Sequence, residues 1–425
     1  MRAMPWNRAR MLANELATPP PPEEVPIADA AGRVLAAPLC ALAAVPGFDS
    51  AAMDGYAVRG TGPWRLTGRV LAGCPDPGAL VDHTAVEIAT GAPVPAGADR
   101  VLPYEEASRG GELVTTLVPD SGASDSRGPD PRVLGSRAHD SRAHDPHAHD
   151  PHAHGPGRVR EHIRRSGEDA VVGEVLLPAG CLVTAVVLGM AASVGADTLW
   201  VVRRPRVRVL LTGDEIVRAG LPGPGQVRDA LGPLLPPLLA GFGADVTAVS
   251  SVGDRSAGAL TAALAATAED IAVVCGASSV GPVDHLHTAL ADLDATVHVD
   301  GVACRPGRPQ ILARRPARGT GTGWIVGLPG NPYAALVAAY TLVQPLIAGL
   351  TGRRLPTLPT ATVSGPVRPV PGQTRLVPVR WDGDGAVAIP RDRPGYLGAA
   401  AMADALAVIE PDWTPATPTG LIRQY

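Results

Sequence analysis

Residues 207–217 read VRVLLTGDEIV, and this stretch decides the fold expected for the second half of the chain. An apolar, β-branched run that stops abruptly at Thr-Gly-Asp-Glu is typical of a buried parallel strand whose carboxyl end opens into a loop. In open α/β sheets, ligands bind at the carboxyl ends of the strands. Asp214 and Glu215 would then lie at a binding edge, where two carboxylates could hold a cation. The alternative is that they cap the next helix, as acidic residues at such turns often do.

The residues around this stretch alternate between strand and helix patterns. Predicted strands lie at 207–212, 245–250, 271–275 and 324–327, and predicted helices at 228–241, 255–267, 283–292 and 332–350. This alternation predicts a parallel, doubly wound α/β domain. Beyond it, a small all-β tail is predicted from segments at 361–366, 375–381, 386–390 and 405–409, with a short helix at 398–404.

The first part of the chain has a different pattern. A helix is predicted at 6–17, and four consecutive prolines at 19–22 end it. Residues 64–118 combine short strand patterns with turn residues, which predicts a small β-rich domain.

Length, charge and cysteine usage limit the classes of protein to consider. A chain of 425 residues is too long for one hydrophobic core, so several domains are expected. The net charge of −4 argues against a surface that coats nucleic acid. Five scattered cysteines without metal-ligand spacing are typical of a reducing compartment. With no signal-peptide pattern and no run of about 18 apolar residues, we expect a soluble cytoplasmic protein that binds no membrane.

Residues 120–157 are of low complexity and repeat an Ala-His-Asp unit. They contain six of the chain's 11 histidines: His139, His144, His147, His149, His152 and His154. Low complexity, proline and alternating polarity predict a disordered, His-rich insert. Flexible His-rich segments can bind transition metals, and the alternative is a solvated expansion with no role.

A second loop follows the predicted strand at 271–275 and is rich in small residues. Gly276 and Gly281 allow backbone N–H groups to approach an anion, and Ser278 and Ser279 add hydroxyl donors. Asp284 follows at the start of the next predicted helix, where it either joins the acidic edge or simply caps that helix.

A third loop reads GLPGNP at 327–332 and precedes a helix whose N-terminus favours a negative group. Before it in the chain, Arg305 and Arg308 flank a Pro-Gly turn. Two guanidiniums at this spacing could grip a tetrahedral oxyanion, the alternative being an ordinary surface turn. An anion pocket lined by acids suits phosphorylated ligands with a divalent cation, so the residues alone predict a nucleotide- or phosphate-handling enzyme.

Six motifs occur in an order that points to one family. They are FDSAAMDGYAV at 48–58, TGAPVPAGAD at 90–99, RRSGED at 164–169, TGDE at 212–215, RPGRP at 305–309 and LPGNP at 328–332. Together they closely resemble the molybdopterin molybdenumtransferase family, to which the gephyrin E domain is related. The resemblance covers nearly the whole chain except 120–157 and becomes loose after about residue 352.

The resemblance implies an activity and an assembly. Such proteins insert molybdenum from molybdate into adenylylated molybdopterin with the help of a divalent cation such as Mg²⁺, releasing AMP and molybdenum cofactor. They are homodimers with the active site at the subunit interface, and their partners would include molybdopterin adenylyltransferase and molybdoenzymes. The runner-up functions are molybdopterin adenylyltransferase activity and a diverged, non-catalytic pterin-binding scaffold.

The resemblance also implies domains and roles for residues. The domains are a discontinuous N-terminal linker and dimerisation domain (1–46 and 158–204), a β-rich domain (47–119), the insert (120–157), a molybdopterin-binding α/β domain (205–352) and a C-terminal β-barrel-like domain (353–425). The catalytic acidic and hydroxyl cluster would be Asp54, Thr90, Asp169, Glu215, Asp254 and Asp284. The metal ligands would be Asp214, Glu215 and Asp284. The substrate-binding residues would be Thr212, Gly213, Gly276, Ser278, Ser279, Gly281, Arg305, Arg308, Pro329, Gly330, Asn331 and Pro332. Pro378 stands near the position of a family arginine, with Arg375 or Arg380 as a substitute.

Overall fold

A computed structural model of the chain describes residues 3–75, 77–117, 161–253, 257–276, 285–316, 321–355 and 357–424. These residues divide into two compact units. The larger unit comprises Met1–Leu39, Val175–Ala192 and Ala196–Tyr425, and the smaller unit comprises Cys40–Glu174 and Ser193–Gly195. The predicted insert at 120–157 lies outside the described residues.

The larger unit contains a six-stranded α/β sheet. In spatial order its strands are Asp245–Val252, Arg206–Thr212, Ile271–Cys275, Trp324–Leu328, Ile311–Arg314 and Thr296–Asp300. The first four are parallel, as predicted, whereas Ile311–Arg314 runs antiparallel to both of its neighbours. The prediction of a wholly parallel sheet was therefore wrong at one edge. Both of these strands were missed: Thr296–Asp300 lies at the edge and is partly exposed, and Ile311–Arg314, although buried, has only four residues, which weakens the strand pattern.

The helices of this domain begin and end close to the predicted positions. They are Leu231–Gly241, Ala257–Ala265, Leu286–Asp292 and, as one continuous helical segment, Pro332–Ala338, Ala339–Val343 (a π-helical turn) and Gln344–Leu350. The first begins at Leu231 rather than at residue 228. Asp229 explains this start, because its Oδ1 accepts hydrogen bonds from the N–H groups of Leu231 (3.0 Å) and Gly232 (2.8 Å).

The segment Pro332–Leu350 is apolar and long enough to cross a membrane, with a mean hydropathy of 1.6. No such run was expected from the sequence. Since 94% of an 18-residue stretch of this segment is buried inside the protein, its composition is that of a core helix.

The predicted N-terminal helix is Trp6–Glu15, and it packs against this core helix. Trp6 Nε1 donates to Thr341 Oγ1 at 3.0 Å, and Arg10 Nη1 donates to the carbonyl of Tyr340 at 2.5 Å. Burial lowers the pKa of Arg10 to about 10. Both acceptors lie in the π-helical turn, where the regular ladder of backbone hydrogen bonds is interrupted.

The C-terminal β domain is barrel-like, as predicted. Four strands form an antiparallel sheet, in spatial order Gly385–Ala388, Thr374–Asp382, Ala405–Ile409 and Thr419–Arg423. The sheet closes because Thr360–Ala361 pairs with Thr419–Arg423 and the adjacent Val363–Ser364 pairs with Gly385–Ala388. Two further strands extend the sheet, Val302–Arg305 and Met4–Pro5. Neither of these, nor the last strand, was expected in this domain from the sequence.

The smaller unit contains a six-stranded sheet, which confirms the β-rich character of this region. In spatial order its strands are Arg100–Pro103, Gly55–Val58, Thr84–Ile88, Trp64–Val70, Leu113–Thr116 and Ala107–Gly110. Ile163–Arg164 pairs separately with Ser50–Ala51. This pairing joins the motif at 164–169 to the one at 48–58.

In the larger unit, Pro22–Pro26 pairs with Thr198–Val202, so two pieces far apart in sequence form one ribbon. The helix Ala185–Ser193 lies between them in sequence and carries no charged residue. The domain boundaries given above stay predictions.

Candidate functional site

The three loops predicted to bind a ligand come together at the carboxyl edge of the α/β sheet. The strands Arg206–Thr212, Ile271–Cys275 and Trp324–Leu328 are direct neighbours, so their carboxyl ends are adjacent. Thr212 is buried and its Oγ1 donates to the carbonyl of Cys275 at 2.9 Å. The N–H of Gly276 donates to the carbonyl of Leu328 at 3.1 Å. These hydrogen bonds hold the starts of the three loops together.

Glycine at position 276 is required by this close approach. Gly276 has φ +101°, and a Cβ atom there would lie 2.8 Å from the carbonyl oxygen of Thr212. On its other side, a Cβ at Gly330 would lie 3.4 Å from Gly276 Cα. The described starts of the three loops are therefore adjacent, and their binding of one ligand stays a prediction.

Asp214 and Glu215 are both exposed at this edge. The Glu215 carboxylate folds back over Gly213, where a Cβ would lie 2.7 Å from its Oε2. Asp214 points toward the neighbouring strand end, because a Cβ at Gly253 would lie 3.1 Å from its Oδ1. Neither caps the next helix, since Asp229 does so; the capping alternative was wrong.

The predicted divalent-cation site is described only in part. Asp254, Ser278, Ser279, Gly281 and Asp284 lie outside the described residues. Within the residues that the structure describes, no group of three or more His, Cys, Asp or Glu side chains is placed to hold a metal. The two carboxylates of Asp214 and Glu215 are the described part of the predicted set.

The helix that starts at Pro332 does not offer all its N-terminal amides to a ligand. The N–H groups of Tyr333 and Ala334 donate to the carbonyl of Pro394, at 2.9 and 3.3 Å. The prediction that this helix end favours a bound anion was therefore wrong for these two donors, which the C-terminal domain already satisfies. In the preceding loop, Pro329 is buried, whereas Gly330 and Asn331 are exposed.

The arginine turn at residues 305–309 lies against the start of the same helix. Gly307 has φ +96°, and a Cβ there would lie 2.9 Å from the carbonyl oxygen of Ala334. Pro306 and Gly307 are buried, whereas Arg305 and Arg308 are exposed. The turn therefore has a fixed, buried apex with a guanidinium on each side, next to the loop at 328–332.

Arg375 lies beside this turn in the C-terminal sheet, since Arg305 and Arg375 are opposite one another in register. Its guanidinium is paired with Asp392 (Nη2 to Oδ2, 2.7 Å) and donates to the carbonyl of Arg368 at 3.0 Å. Arg375 adds positive charge to this face but already has partners.

In the smaller unit the structure brings together two predicted catalytic residues. Asp54 Oδ1 accepts a hydrogen bond from the N–H of Thr90 at 2.9 Å.

Asp49 Oδ1 and Oδ2 accept hydrogen bonds from the N–H of Ser166 and from Arg165 Nη1, each at 2.8 Å. These bonds, the one from the Ser166 backbone foremost, lower the pKa of Asp49.

Asp169, the third predicted catalytic residue of this unit, is exposed and forms an ion pair with Arg164 of the same motif.

Three residues beside Asp54 were not predicted from the sequence. The N–H of Tyr104 donates to the carbonyl of Asp54 at 3.3 Å, and its hydroxyl donates to Glu87 Oε1 at 2.8 Å. Arg69 completes the group through an ion pair with Glu87 at 2.8 Å. Burial raises the pKa of Tyr104 to about 12, and the hydrogen bonds from Tyr104 and Arg69 lower the pKa of Glu87. The sequence gives only a weak signal for this group, because each of its residues lies on a different strand or turn.

Comparison with known proteins agrees with this architecture. The MoeA N-terminal region (domain I and II) matches residues 4–195, and a probable molybdopterin binding domain matches residues 208–349. The structure is similar to that of a molybdopterin biosynthesis MoeA protein from Pyrococcus horikoshii, with a TM-score of 0.72 at 20% identity, covering 100% of this chain and 98% of that one.

Two curated relatives are named for the same activity. Molybdopterin molybdenumtransferase from Haemophilus influenzae is 32% identical over 82% of this chain and 77% of its own length. Molybdopterin molybdenumtransferase 2 from Mycobacterium tuberculosis is 34% identical over 76% of this chain and 74% of its own length. With the matching domains in the same order and the three loops meeting at one sheet edge, the chain belongs to the molybdopterin molybdenumtransferase family.

Proposed function

We propose that this chain inserts molybdenum from molybdate into adenylylated molybdopterin, with release of AMP. The observation that carries the proposal is the carboxyl edge of the α/β sheet, where the backbone at Thr212, Gly276 and Gly330 converges beside the arginine turn. Such an edge offers backbone donors for a pterin and its phosphates. The same location offers two permanent cations for an oxyanion.

The binding roles follow from the chemistry of each loop. The residues proposed to hold adenylylated molybdopterin are Thr212, Gly213, Gly276, Ser278, Ser279, Gly281, Pro329, Gly330, Asn331 and Pro332. Arg305 and Arg308 are proposed to hold molybdate, because a guanidinium donates parallel hydrogen bonds to an oxyanion.

Mg²⁺ is the proposed cofactor, with Asp214, Glu215 and Asp284 as its ligands. The described pair, Asp214 and Glu215, fits this ion, because Mg²⁺ typically keeps several waters and uses one or two carboxylates plus the substrate's phosphate oxygens. When bound, it would neutralise the negative charge that develops on the phosphate as AMP leaves. Asp54, Asp169 and Asp254 complete the proposed catalytic set with carboxylates that can accept a proton from an attacking water, and Thr90 adds a hydroxyl.

We further propose that the chain acts in the cytoplasm as a homodimer with its active site at the subunit interface. The support for a dimer is the helix Ala185–Ser193, which has no charged side chain and leaves Val186 81% exposed. An apolar helix that is exposed in one copy is expected to be covered in an assembly. Its proposed functional partners are a molybdopterin adenylyltransferase, which would supply the substrate, and molybdoenzymes, which would accept the product.

The decisive assay mixes purified protein with adenylylated molybdopterin, Mg²⁺ and molybdate, and measures AMP. AMP release that depends on molybdate is the expected result. AMP release that needs no molybdate argues against the insertion step. Adenylylation of molybdopterin from ATP would indicate the adenylyltransferase function instead, and pterin binding with neither reaction would indicate a scaffold.

Single variants and their mixtures test the site and the dimer together. Glu215→Ala and Asp54→Ala are each expected to suppress AMP release without unfolding the protein. If the site is built from two subunits, co-refolding the two inactive variants restores about a quarter of the wild-type rate, because half of the dimers are mixed and each has one intact site. A mixture that stays inactive would argue against a shared site.

A further inference from the structure

The arginine turn is held from beneath by a buried side chain, that of Gln310. This residue is 0% exposed, and its Nε2 donates to the carbonyl of Gly307 at 2.6 Å and to Cys304 Sγ at 3.2 Å. The Cys304 thiol in turn donates to the carbonyl of Pro306 at 3.5 Å. These three contacts, here called the Gln310 clasp, tie the side chains of Cys304 and Gln310 to the apex of the turn.

The clasp has a cost that argues for a role beyond packing. Within the described part of the chain, Gln310 Oε1 is buried without a hydrogen-bond partner. An unpaired buried amide oxygen lowers stability, whereas an apolar side chain of similar volume would fill the space without this penalty. The benefit that remains is the pair of hydrogen bonds from Nε2 to the turn.

The turn is also fixed from its other sides. The N–H of Val302 donates to the carbonyl of Arg308 at 2.9 Å, and the N–H of Gly301 donates to the carbonyl of Gln310 at 2.8 Å. Gly307 lies directly against the carbonyl of Ala334. Backbone hydrogen bonds thus hold the base of the turn. The core helix packs against its outer face, and the Gln310 clasp holds its interior.

Burial keeps the clasp in one chemical form. It raises the pKa of the Cys304 thiol to about 12, so the thiol stays protonated and remains a donor to Pro306 at neutral pH. The amide of Gln310 does not titrate. The backbone that carries the two guanidiniums is therefore held in the same way across the working pH range.

We propose that Gln310 is a positioning residue for oxyanion binding, acting through the turn that carries Arg305 and Arg308. The inference rests on the proposed function, because it concerns the molybdate site. A grip by two guanidiniums needs both at a fixed spacing, and a turn free to shift by even part of an ångström loses affinity. Gln310 touches no substrate itself, and its effect is on molybdate rather than on the pterin.

The test replaces Gln310 by methionine, which keeps the volume and removes both donors. We expect Gln310→Met to raise KM for molybdate about tenfold, with kcat and KM for adenylylated molybdopterin changed less than about twofold. Leu264→Ala is the matched control, because Leu264 is fully buried in a separate hydrophobic cluster of the same unit. It lowers thermal stability but is expected to leave KM for molybdate unchanged. Equal effects of both variants on this KM would overturn the proposal, since a general loss of stability would then explain them.

If Gln310→Met does not fold, a second pair of variants tests the same proposal. Cys304→Ser retains a donor and an acceptor, and Cys304→Val removes both. We expect serine to bind molybdate within about twofold of wild type and valine to bind about tenfold more weakly. Equal binding by the two would contradict the clasp.

Direct titration of molybdate into the protein without pterin separates this inference from the proposed function. If the wild type binds molybdate and Gln310→Met binds it more weakly, the clasp is supported even if no AMP is ever released. Absence of molybdate binding by the wild type, or unchanged binding by Gln310→Met, overturns the inference even if the enzyme releases AMP in a molybdate-dependent way.

Discussion

Gly276→Ala tests how tightly the three loops meet at the carboxyl edge of the sheet. The new methyl group would lie 2.8 Å from the carbonyl oxygen and 2.9 Å from Oγ1 of Thr212. Thr212 is buried and bonded to the neighbouring strand, so it cannot turn away as a surface side chain could. The Thr212 loop or the whole strand end must therefore shift.

The expected size follows from two terms. A non-glycine residue at a φ of +101° costs about 1–2 kcal/mol. Overpacking against the buried Thr212 costs about 1–3 kcal/mol. Together the free energy of unfolding should fall by about 2–5 kcal/mol, and molybdate-dependent AMP release should fall about tenfold, because the loop that carries the carboxylates moves.

The assay is equilibrium urea unfolding followed by tryptophan fluorescence, to which the buried Trp324 of the neighbouring strand contributes. Gly258→Ala is the control, because a Cβ added to this helical glycine would meet no heavy atom within 4 Å, and the variant should be stabilised by about 0.5–1 kcal/mol. If Gly276→Ala unfolds within about 1 kcal/mol of wild type and keeps full activity, the three loops do not meet as tightly as these distances require.

Three further variants test other parts of the molecule. Gly213→Ala would place a methyl group against the folded-back carboxylate of Glu215, so we expect weaker Mg²⁺ dependence of AMP release, and an unchanged Mg²⁺ titration would contradict this. The folded-state pKa of Asp49 is depressed, so its stabilising effect is complete above the unfolded pKa near 3.8 and is lost as the pH falls through the folded pKa. Asp49→Asn should therefore be less stable than wild type at pH 7 and equal to it in strong acid; a constant difference in thermal melts at both pH values would refute this. Asp270 is 1% exposed and bonded to Arg203 at 2.9 Å, so Asp270→Ala should cost about 3–5 kcal/mol in urea unfolding, and a cost below about 1 kcal/mol would show that the pair contributes little.

The parallel strands of the α/β domain could be predicted because their signal is local. A strand buried on both faces must be apolar, as Ile271–Cys275 is along its whole length and Arg206–Thr212 is over its buried second half. Thr296–Asp300 lies at the edge of the sheet and is largely open to solvent, so it lacks that signal, whereas Ile311–Arg314 is apolar and buried but has only four residues. Val302–Arg305 follows the first of them within two residues yet joins the sheet of another domain, and nothing in its own sequence distinguishes the two sheets.

Part of the candidate site could likewise be predicted and part could not. The three loops at the carboxyl edge follow strands, and strand ends are visible in the sequence. The occupation of two helix N-terminal amides by the carbonyl of Pro394 is not visible, because the donor residues Tyr333 and Ala334 lie much earlier in the chain. Gln310 was overlooked for a related reason, since a buried amide and an exposed one look alike in a sequence.

The sequence by itself determined the motifs, the family and the residue types that chemistry of this kind needs. These features are short-range: the spacing of hydrophobic residues, the positions of glycine and proline, and the acidic residues at strand ends. They can therefore be derived without coordinates. Only the tertiary structure decided which of those groups meet: that Gly276 touches Thr212, that Asp54 binds the backbone of Thr90, and that Gln310 supports the arginine turn. Such contacts join residues brought together by packing, and the free energy that selects them comes from burial of the whole core rather than from any one segment.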